Sequence, residues 1–313
     1  MDRLLMPQTL SPVMHLPSWD VEALWGRLWE VLPGVSVEVV ACCESTNSLL
    51  LERVRESGGW LEQPATVPGE RGEASLPAPP LGRRAVDTLP CLLVAEEQTH
   101  GRGRQGRTWR SVRGASLTFS LALPLAPADW GGLSLAAGVA LADALDPPGD
   151  GGAPRIGLKW PNDLWLITGP GRGRKLGGIL IETLSIGRMR MAVVGVGLNV
   201  APQAVADAGD ESACLHELDP TLTPASALHA VAVPLAQALR RHERAGFAAF
   251  ADDFARRDLL RGHAVTTTAA AVPAGLVLGV GASGALRVRA PDGQVHELSG
   301  GEVSVRPQPG GGA

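Results

Sequence analysis

The chain has 313 residues, of which 45% are hydrophobic and 19% charged, and its formal net charge is −4. This length and apolar content allow a sizeable core and predict two domains. The mild acidity argues against nucleic-acid binding over the whole surface, so any basic site must be local. No segment has the length and continuous apolarity of a membrane span, and the N-terminus lacks a signal-peptide core. We therefore expect a cytoplasmic protein with no membrane partner.

Apolar periodicity and turn residues divide the chain up to residue 257 into alternating helices and strands. Residues 1–34 form a predicted N-terminal extension with one helix, capped by Ser18. A Pro/Gly-rich stretch at 56–90 predicts a mobile surface insertion. In chain order the predicted elements are helix 18–32, strand 35–42, helix 47–55, strands 91–95 and 116–123, helix 133–145, and strands 156–160, 164–168, 176–183 and 189–200. A tight turn is predicted at 169–174, between two of these strands. A helical region follows at 224–257 and breaks near Gly246.

From residue 258 onward the pattern changes to short strands separated by Gly and Asp-Gly turns. The Asp292-Gly293 pair predicts a hairpin. The predicted strands are 265–268, 275–280, 285–290, 295–298 and 302–306. The sequence thus predicts an α+β fold, with a mixed-sheet domain at 35–257, a small all-β domain at 258–307 and a disordered tail at 308–313.

The cysteines give no sign of a metal centre. Cys42, Cys43, Cys91 and Cys214 include no C-x-x-C pair, and no histidine lies at zinc-ligand spacing from them. We expect four reduced thiols that behave as small apolar side chains, and no structural metal site.

The most distinctive stretch is the loop at 101–110, Gly-Arg-Gly-Arg-Gln-Gly-Arg-Thr-Trp-Arg. Its arginines supply planar donors for carboxylate or phosphate, and its glycines let the backbone approach a ligand closely. Ordering this loop costs conformational entropy, so we expect it to be mobile until an anion binds. The alternatives are a disordered nucleic-acid-binding segment and an ordinary solvated loop. Its position between two predicted strands argues against both.

Four further clusters carry polar or charged side chains at the ends of predicted elements. Hydroxyls at a helix start suit a cap or a polar ligand, and a Pro-Asn-Asp sequence suits a plain turn or a ligand-binding edge. Glycines in a strand let a ligand lie against bare backbone, and a neighbouring lysine can neutralise an anion there. The clusters are Glu44-Ser45-Thr46-Asn47, Lys159-Trp160-Pro161-Asn162-Asp163, Lys175-Leu176-Gly177-Gly178-Ile179-Leu180-Ile181-Glu182 and Gly195-Val196-Gly197-Leu198-Asn199.

Taken in order with the arginine loop, these clusters resemble the biotin–protein ligases over residues 35–199, and the β-rich segment extends the resemblance to the C-terminus. The resemblance implies a class II synthetase-like catalytic domain for biotin and ATP, followed by an SH3-like β-barrel. It also implies that biotin attacks the α-phosphate of ATP to give biotinyl-5′-AMP and pyrophosphate. A lysine of a biotin carboxyl carrier protein, such as that of acetyl-CoA carboxylase, then takes the biotin and releases AMP.

The resemblance also assigns roles to residues. The catalytic residues would be Arg104, Lys175 and Asp163. The biotin-binding residues would be Ser45, Thr46, Asn47, Gln98, Gly101, Arg102, Arg104, Lys175, Gly177 and Gly178. The ATP-binding residues would be Arg104, Arg107, Trp109, Lys159, Asn162, Asp163 and Asn199. Mg²⁺ should accompany ATP, and its ligands are not assigned.

One alternative enzyme stays open beside this interpretation. A lipoate or octanoate ligase or transferase shares the general fold, although the arginine loop followed by Trp109 favours biotin. Only 44 residues precede Ser45, too few for the DNA-binding domain of many bacterial relatives, so we expect no DNA binding. Both a monomer and a homodimer are compatible with the sequence.

Overall fold

The computed structural model describes residues 19–61, 88–149, 152–203, 212–300 and 304–307. Some predictions lie outside these residues, namely the Ser18 cap, most of the 56–90 insertion and the 308–313 tail. Asp20, with φ 41°, precedes the first helix and makes no side-chain cap. The predicted boundary between residues 257 and 258 falls at the end of a helix, and the division into domains stays a prediction.

A seven-stranded mixed sheet forms the centre of the larger part of the fold, in the order β1-β2-β5-β9-β8-β7-β6. Only the β1–β2 pair is parallel, and the other neighbours are antiparallel. Its strands are β1 (Ser36–Val40), β2 (Cys91–Ala95), β5 (Ser116–Pro124), β6 (Ile156–Lys159), β7 (Asp163–Gly169), β8 (Arg172–Ile186) and β9 (Met189–Asn199).

Two of these strands run longer than predicted because the turn between them is short. The predicted turn at 169–174 reduces to a two-residue turn at Pro170 and Gly171, where Gly171 has φ 63°. Glycine adopts this left-handed conformation without the strain that a Cβ would cause. The residues on either side therefore join the β7–β8 ladder.

Helices cover the two faces of this sheet unequally. They are α1 (Val21–Trp29), α2 (Thr46–Leu61), α3 (Leu133–Leu145), α4 (Pro224–Ala245) and α5 (Ala251–Arg257), and the predicted break at Gly246 is confirmed. On one face, α3 and α4 bury the alternating apolar residues of β5, such as Phe119 and Leu121. On the other, α2 covers a smaller cluster that includes Leu93 and Val193. The rest of this second face is left for polar residues.

The C-terminal strands form a separate five-stranded antiparallel sheet in the order β13-β12-β11-β10-β14. They are β10 (Ala264–Thr267), β11 (Ala274–Val280), β12 (Leu286–Arg289), β13 (Val295–Leu298) and β14 (Val305–Pro307). The predicted Asp292-Gly293 hairpin joins β12 to β13. The resemblance implied a closed barrel, but among the described residues the edge strands β13 and β14 do not pair. The sheet is therefore open in the part of the chain that the structure describes. An SH3-like arrangement of its strands remains the expectation.

A buried arginine joins α5 to the end of α3 and to β6. Arg257 is 4% exposed and donates to Asp143 Oδ1 at 2.8 Å, Asp146 Oδ2 at 3.0 Å and the carbonyl of Ile156 at 3.0 Å. A buried charge is tolerated only when such partners satisfy it. This network therefore fixes the helices that support the sheet.

We expect Arg257→Ala to lower the free energy of unfolding by about 3–5 kcal/mol, because it leaves the largely buried Asp146 carboxylate without its main charged partner. The measurement is urea denaturation. Arg256→Ala is the matched control, since Arg256 is exposed and forms its ion pair with Asp253 on its own helix; it should cost less than about 1 kcal/mol. Equal losses in the two variants would contradict the structural role of Arg257.

Candidate active site

The polar face of the sheet carries two rows of residues that pair directly across neighbouring strands. Residues paired in this way point to the same side of a sheet. Most members of the rows are small or polar, so the strands themselves place almost no bulky side chain on this part of the face. One row is Thr118, Gly197, Gly178 and Asp163, and the other is Ser120, Gly195 and Leu180.

Two glycines of β9 let other side chains lie directly on the backbone. A Cβ at Gly195 would stand 2.2 Å from Asn47 Oδ1, and a Cβ at Gly197 would stand 2.4 Å from the Trp109 indole. Neither distance is sterically allowed. The groups that lie against the bare backbone here belong to the protein itself, and the approach of a ligand stays a prediction.

A cluster of uncharged polar side chains lies at one end of the pocket formed on this face. Ser45, Thr46 and Asn47 are each 3% exposed at the start of α2. The Thr46 N–H donates to Gln98 Oε1 at 2.7 Å, and Ser120 Oγ lies within 2.7 Å of both Thr46 Oγ1 and Asn47 Oδ1. Ser45 Oγ also accepts from a backbone N–H one turn into α2. Ser45 thus caps the helix and also lines the pocket, whereas its contact with a polar ligand stays a prediction.

A charged group lies at the other end. Lys175 Nζ contacts Asp163 Oδ1 at 2.8 Å, and Arg104 donates to Asn162 Oδ1 at 3.0 Å and also to the carbonyl of Gly300. The Asn162 side chain donates in turn to the carbonyl of Ile179 at 2.7 Å. Each cation is therefore held in place by a neutral or acidic neighbour.

A bulge in β8 brings Lys175 to this face. Leu164 pairs with Gly177 and Trp165 pairs with Lys175, so Leu176 has no partner across the ladder. An extra residue of this kind reverses the alternation of side chains. As a result Leu176 enters the core, whereas Lys175 lines the pocket.

Burial affects the cations at this end of the pocket. Burial lowers the pKa of Arg104, opposed by Asp163, but an arginine stays charged at neutral pH. Burial likewise lowers the pKa of Lys159. The negative charge of Asp163 opposes this shift, and the positive charge of Lys175 adds to it. The Lys159 ammonium lies 4.4 Å from the centre of the Trp165 ring. The pocket therefore concentrates positive charge in a partly desolvated place, where an anion is attracted strongly.

The arginine loop folds as a small hairpin across the pocket. Strands β3 (Gly101–Arg102) and β4 (Thr108–Trp109) pair, and a short 3-10 turn connects them. At the tip Gln105 has φ 55°, and it shares a hydrogen bond of 3.1 Å with Ser304 of the C-terminal sheet. The β3 and β4 pairing was not foreseen, because two-residue strands leave no periodicity to detect.

The structure brings most of the predicted site residues around this one pocket. They are Ser45, Thr46, Asn47, Gln98, Arg102, Arg104, Arg107, Trp109, Asn162, Asp163, Lys175 and Gly178. The remaining ones are near it but do not line it. Gly101 pairs with Trp109, Gly177 faces the core beside Leu198, and Lys159 packs on Trp165.

Asn199 lies in a second cavity on the far side of Trp109, a residue that lines both. Its amide donates to the carbonyl of Ala213 at 3.0 Å and accepts from Gln203 at 3.3 Å. The Trp109 indole N–H is buried and has no hydrogen-bond partner among the described residues. A buried donor without an acceptor is unfavourable, so an acceptor supplied by a ligand would stabilise it.

Sequence reasoning missed Ser120, Gln105 and Ser304. Ser120 had a detectable signal, because it is a polar residue on a strand whose neighbours are buried. Ser304 had none, since its approach to Gln105 depends on how the C-terminal sheet packs against the loop.

Together these features select the kind of ligand that the pocket can hold. One end offers uncharged donors and acceptors, the middle offers bare backbone, and the other end offers fixed cations. An elongated molecule with a polar, uncharged head and an anionic end fits this arrangement. The cations can also bring two anions together, which lowers an electrostatic barrier to their reaction.

We expect Gly197→Ala to lower the free energy of unfolding by roughly 1–3 kcal/mol, because the new methyl group forces the Trp109 ring or the strand to move. Chemical denaturation measures this change. Gly169→Ala is the control, since a Cβ there meets no atom within 4 Å. It should stay within about 0.5 kcal/mol of the parent protein. Equal stability of the two variants would show that the indole does not lie on Gly197.

Comparison with known proteins gives the context of this site. A model of the biotin/lipoate A/B protein ligase family matches residues 89–199. The bifunctional ligase/repressor BirA of Escherichia coli is 36% identical over 177 residues, which cover 56% of this chain but only 43% of that protein. The biotin–[acetyl-CoA-carboxylase] ligase of Paracoccus denitrificans is 34% identical over 215 residues, 64% of this chain and 85% of that protein.

A solved structure agrees in fold. The biotin protein ligase from Aquifex aeolicus, determined in complex with biotin and ATP, superposes with a TM-score of 0.63 at 23% identity, covering 87% of this chain and 99% of that one. At this identity the likeness concerns the fold alone, and the sequence relatives establish the kinship. The chain belongs to the biotin/lipoate A/B protein ligase family, on its biotin protein ligase branch.

Proposed function

We propose that this protein is an ATP-dependent biotin–protein ligase that forms biotinyl-5′-AMP and transfers biotin to a lysine of a carrier protein. The observation that carries the proposal is the single pocket with an uncharged polar end and a cationic end. The ureido ring of biotin has N–H donors and a carbonyl acceptor, which suit Ser45, Thr46, Asn47 and Gln98. The dithiolane of lipoate and the chain of octanoate have no such groups, so this end of the pocket favours biotin.

The first step joins two anions, the biotin carboxylate and the α-phosphate of ATP. Arg104 and Lys175 stand where fixed positive charge offsets their repulsion, and such preorganised charge is a large term in catalysis. Asp163 acts by holding Lys175 at 2.8 Å, and Asn162 by holding Arg104 at 3.0 Å. Pyrophosphate leaves as the carboxylate oxygen bonds to phosphorus.

The nucleotide would lie on the Trp109 side of the pocket. The indole N–H, which has no acceptor among the described residues, offers a donor, and Asn199 lines the cavity beyond it. Arg107 and Lys159 add positive charge for the phosphates. Among the described residues no group of three or more His, Cys, Asp or Glu side chains could hold a metal ion. Mg²⁺ would enter the site together with ATP, and its ligands are not assigned.

The acceptor in this proposal is a lysine of a biotin carboxyl carrier protein. Loop 101–110 would exclude water from the acyl adenylate until that lysine arrives. The absence of DNA binding, the cytoplasmic location and the choice between monomer and homodimer stay predictions. Among the described residues, no helix is long and apolar enough to cross a membrane.

The direct test incubates the protein with biotin, ATP, Mg²⁺ and an apo-carrier domain, and then measures the mass of the carrier. We expect one biotin on one lysine, and pyrophosphate and AMP in equal amount. Parallel reactions with lipoate and with octanoate distinguish the alternatives. A folded protein that modifies the carrier only with lipoate or octanoate would overturn the assignment to biotin.

We expect Arg104→Gly to release biotinyl-5′-AMP about 10–100 times faster than the parent enzyme, because a charge-assisted hydrogen bond to the intermediate is lost. The free adenylate should then label lysines of an added bystander protein, which mass spectrometry detects. Arg188→Gly is the control, since Arg188 is an exposed residue of the β8–β9 turn. Tight retention of the adenylate by the Arg104 variant would contradict the role of the loop.

A further inference from the structure

Glu182 stands just behind the uncharged end of the pocket and contacts two parts of the site at once. It lies on β8, does not line the pocket, and is 23% exposed in its side chain. Its Oε2 accepts from Asn47 Nδ2 at 3.0 Å, and its Oε1 accepts from Arg102 Nη2 at 2.9 Å. No role was assigned to it on the basis of its sequence cluster.

The contact with Asn47 fixes which way the amide of that residue faces. Asn47 Nδ2 also donates to the carbonyl of Leu180 at 3.2 Å, so both amide hydrogens have acceptors within the protein. The amide oxygen lies 2.6 Å from Ser120 Oγ. An amide with its nitrogen and oxygen both engaged cannot flip. Removal of Glu182 would free one hydrogen and loosen this orientation.

The contact with Arg102 ties the loop to the same place. Arg102 belongs to β3, and its Nη1 reaches both Glu182 Oε2 at 3.3 Å and Ser48 Oγ at 3.2 Å on α2. The guanidinium thus bridges the loop, β8 and α2 with a forked geometry that a lysine could not reproduce. Glu182 is the shared acceptor for the loop and for the ligand-reading amide.

We propose that Glu182 is a positioning residue that couples closure of the loop to the orientation of Asn47, so that the closed loop and the biotin-reading amide occur together. This inference rests on the proposed function. A mere surface ion pair would add a little stability and nothing else. Loss of a positioning residue changes the protease cleavage of the loop, the KM for biotin and the rate of adenylate release, whereas loss of a surface ion pair changes none of them.

The experiment compares Glu182→Gln, Glu182→Ala, Arg102→Gln and the Glu182→Gln/Arg102→Gln double variant. Glu182→Gln keeps an oxygen for Asn47 but loses the charge opposite Arg102. It should raise adenylate release about fivefold, in keeping with a partly exposed ion pair, and leave KM for biotin within about twofold. Glu182→Ala should in addition raise KM for biotin roughly tenfold, because the Asn47 amide loses an acceptor.

Arg102→Gln also removes the contact with Ser48, so it should leak at least as much adenylate as Glu182→Gln does. The double variant should leak no more than Arg102→Gln alone, because the ion pair is then already lost. Glu38→Gln is the matched control, since Glu38 forms a comparable ion pair with Arg53 at 2.8 Å away from the pocket. This control should leave adenylate release and KM unchanged. Effects that multiply in the double variant would overturn the coupling.

Limited trypsin digestion tests the same idea without any reaction. The loop offers cleavage sites after Arg104, Arg107 and Arg110, and each variant at Glu182 should be cut there about fivefold faster than the parent protein or the Glu38→Gln control. Loop cleavage at the parent rate in Glu182→Gln would overturn the proposal. If the parent protein forms no adenylate, the proposed function fails, and the digestion still decides whether Glu182 holds the loop.

Discussion

The absence of two Cβ atoms on β9 is the constraint on which the rest of the site depends. Because Gly195 and Gly197 present only backbone, the Asn47 amide and the Trp109 indole can lie directly on the strand. The opposite face of the same strand is filled with apolar side chains packed under α3 and α4. One strand thus supports a dense core on one side and a ligand-sized depression on the other, which the alternation of a β-strand makes possible.

The charges of the pocket are compensated in advance by the protein. Lys175 is paired with Asp163, and Arg102 is paired with Glu182, while Arg104 contacts neutral acceptors. The positive charge of the pocket is therefore held in place by the protein before any ligand binds, so little reorganisation is needed when new negative charge develops. Asp163 acts on two of these cations, since it pairs with Lys175 and opposes the lowering of the Arg104 pKa by burial.

Residue patterns predicted the element types well, and local chemistry explains why. Strand Cys91–Ala95 and helix Leu133–Leu145 have the predicted bounds, because their apolar periodicity and flanking turn residues agree. The bulge at Leu176 and the open edge of the C-terminal sheet were not predictable, since both depend on pairing between distant strands. The predicted site residues were chosen by motif, but the contacts that Glu182 and Ser304 make join distant parts of the chain and leave no trace in local sequence.

The same distinction explains how the arginine loop is held. Its base is fixed by Arg102 on Glu182, within the larger sheet, whereas its tip is fixed by Gln105 on Ser304 and by Arg104 on Gly300, both from the C-terminal segment. A hairpin with two-residue strands has too few backbone hydrogen bonds to be stable alone. It therefore takes its shape from two separate parts of the chain, and both must be in place before Arg104 faces the pocket. The C-terminal segment is thus a structural part of the pocket, and among its described residues Ser304 lies in the pocket wall.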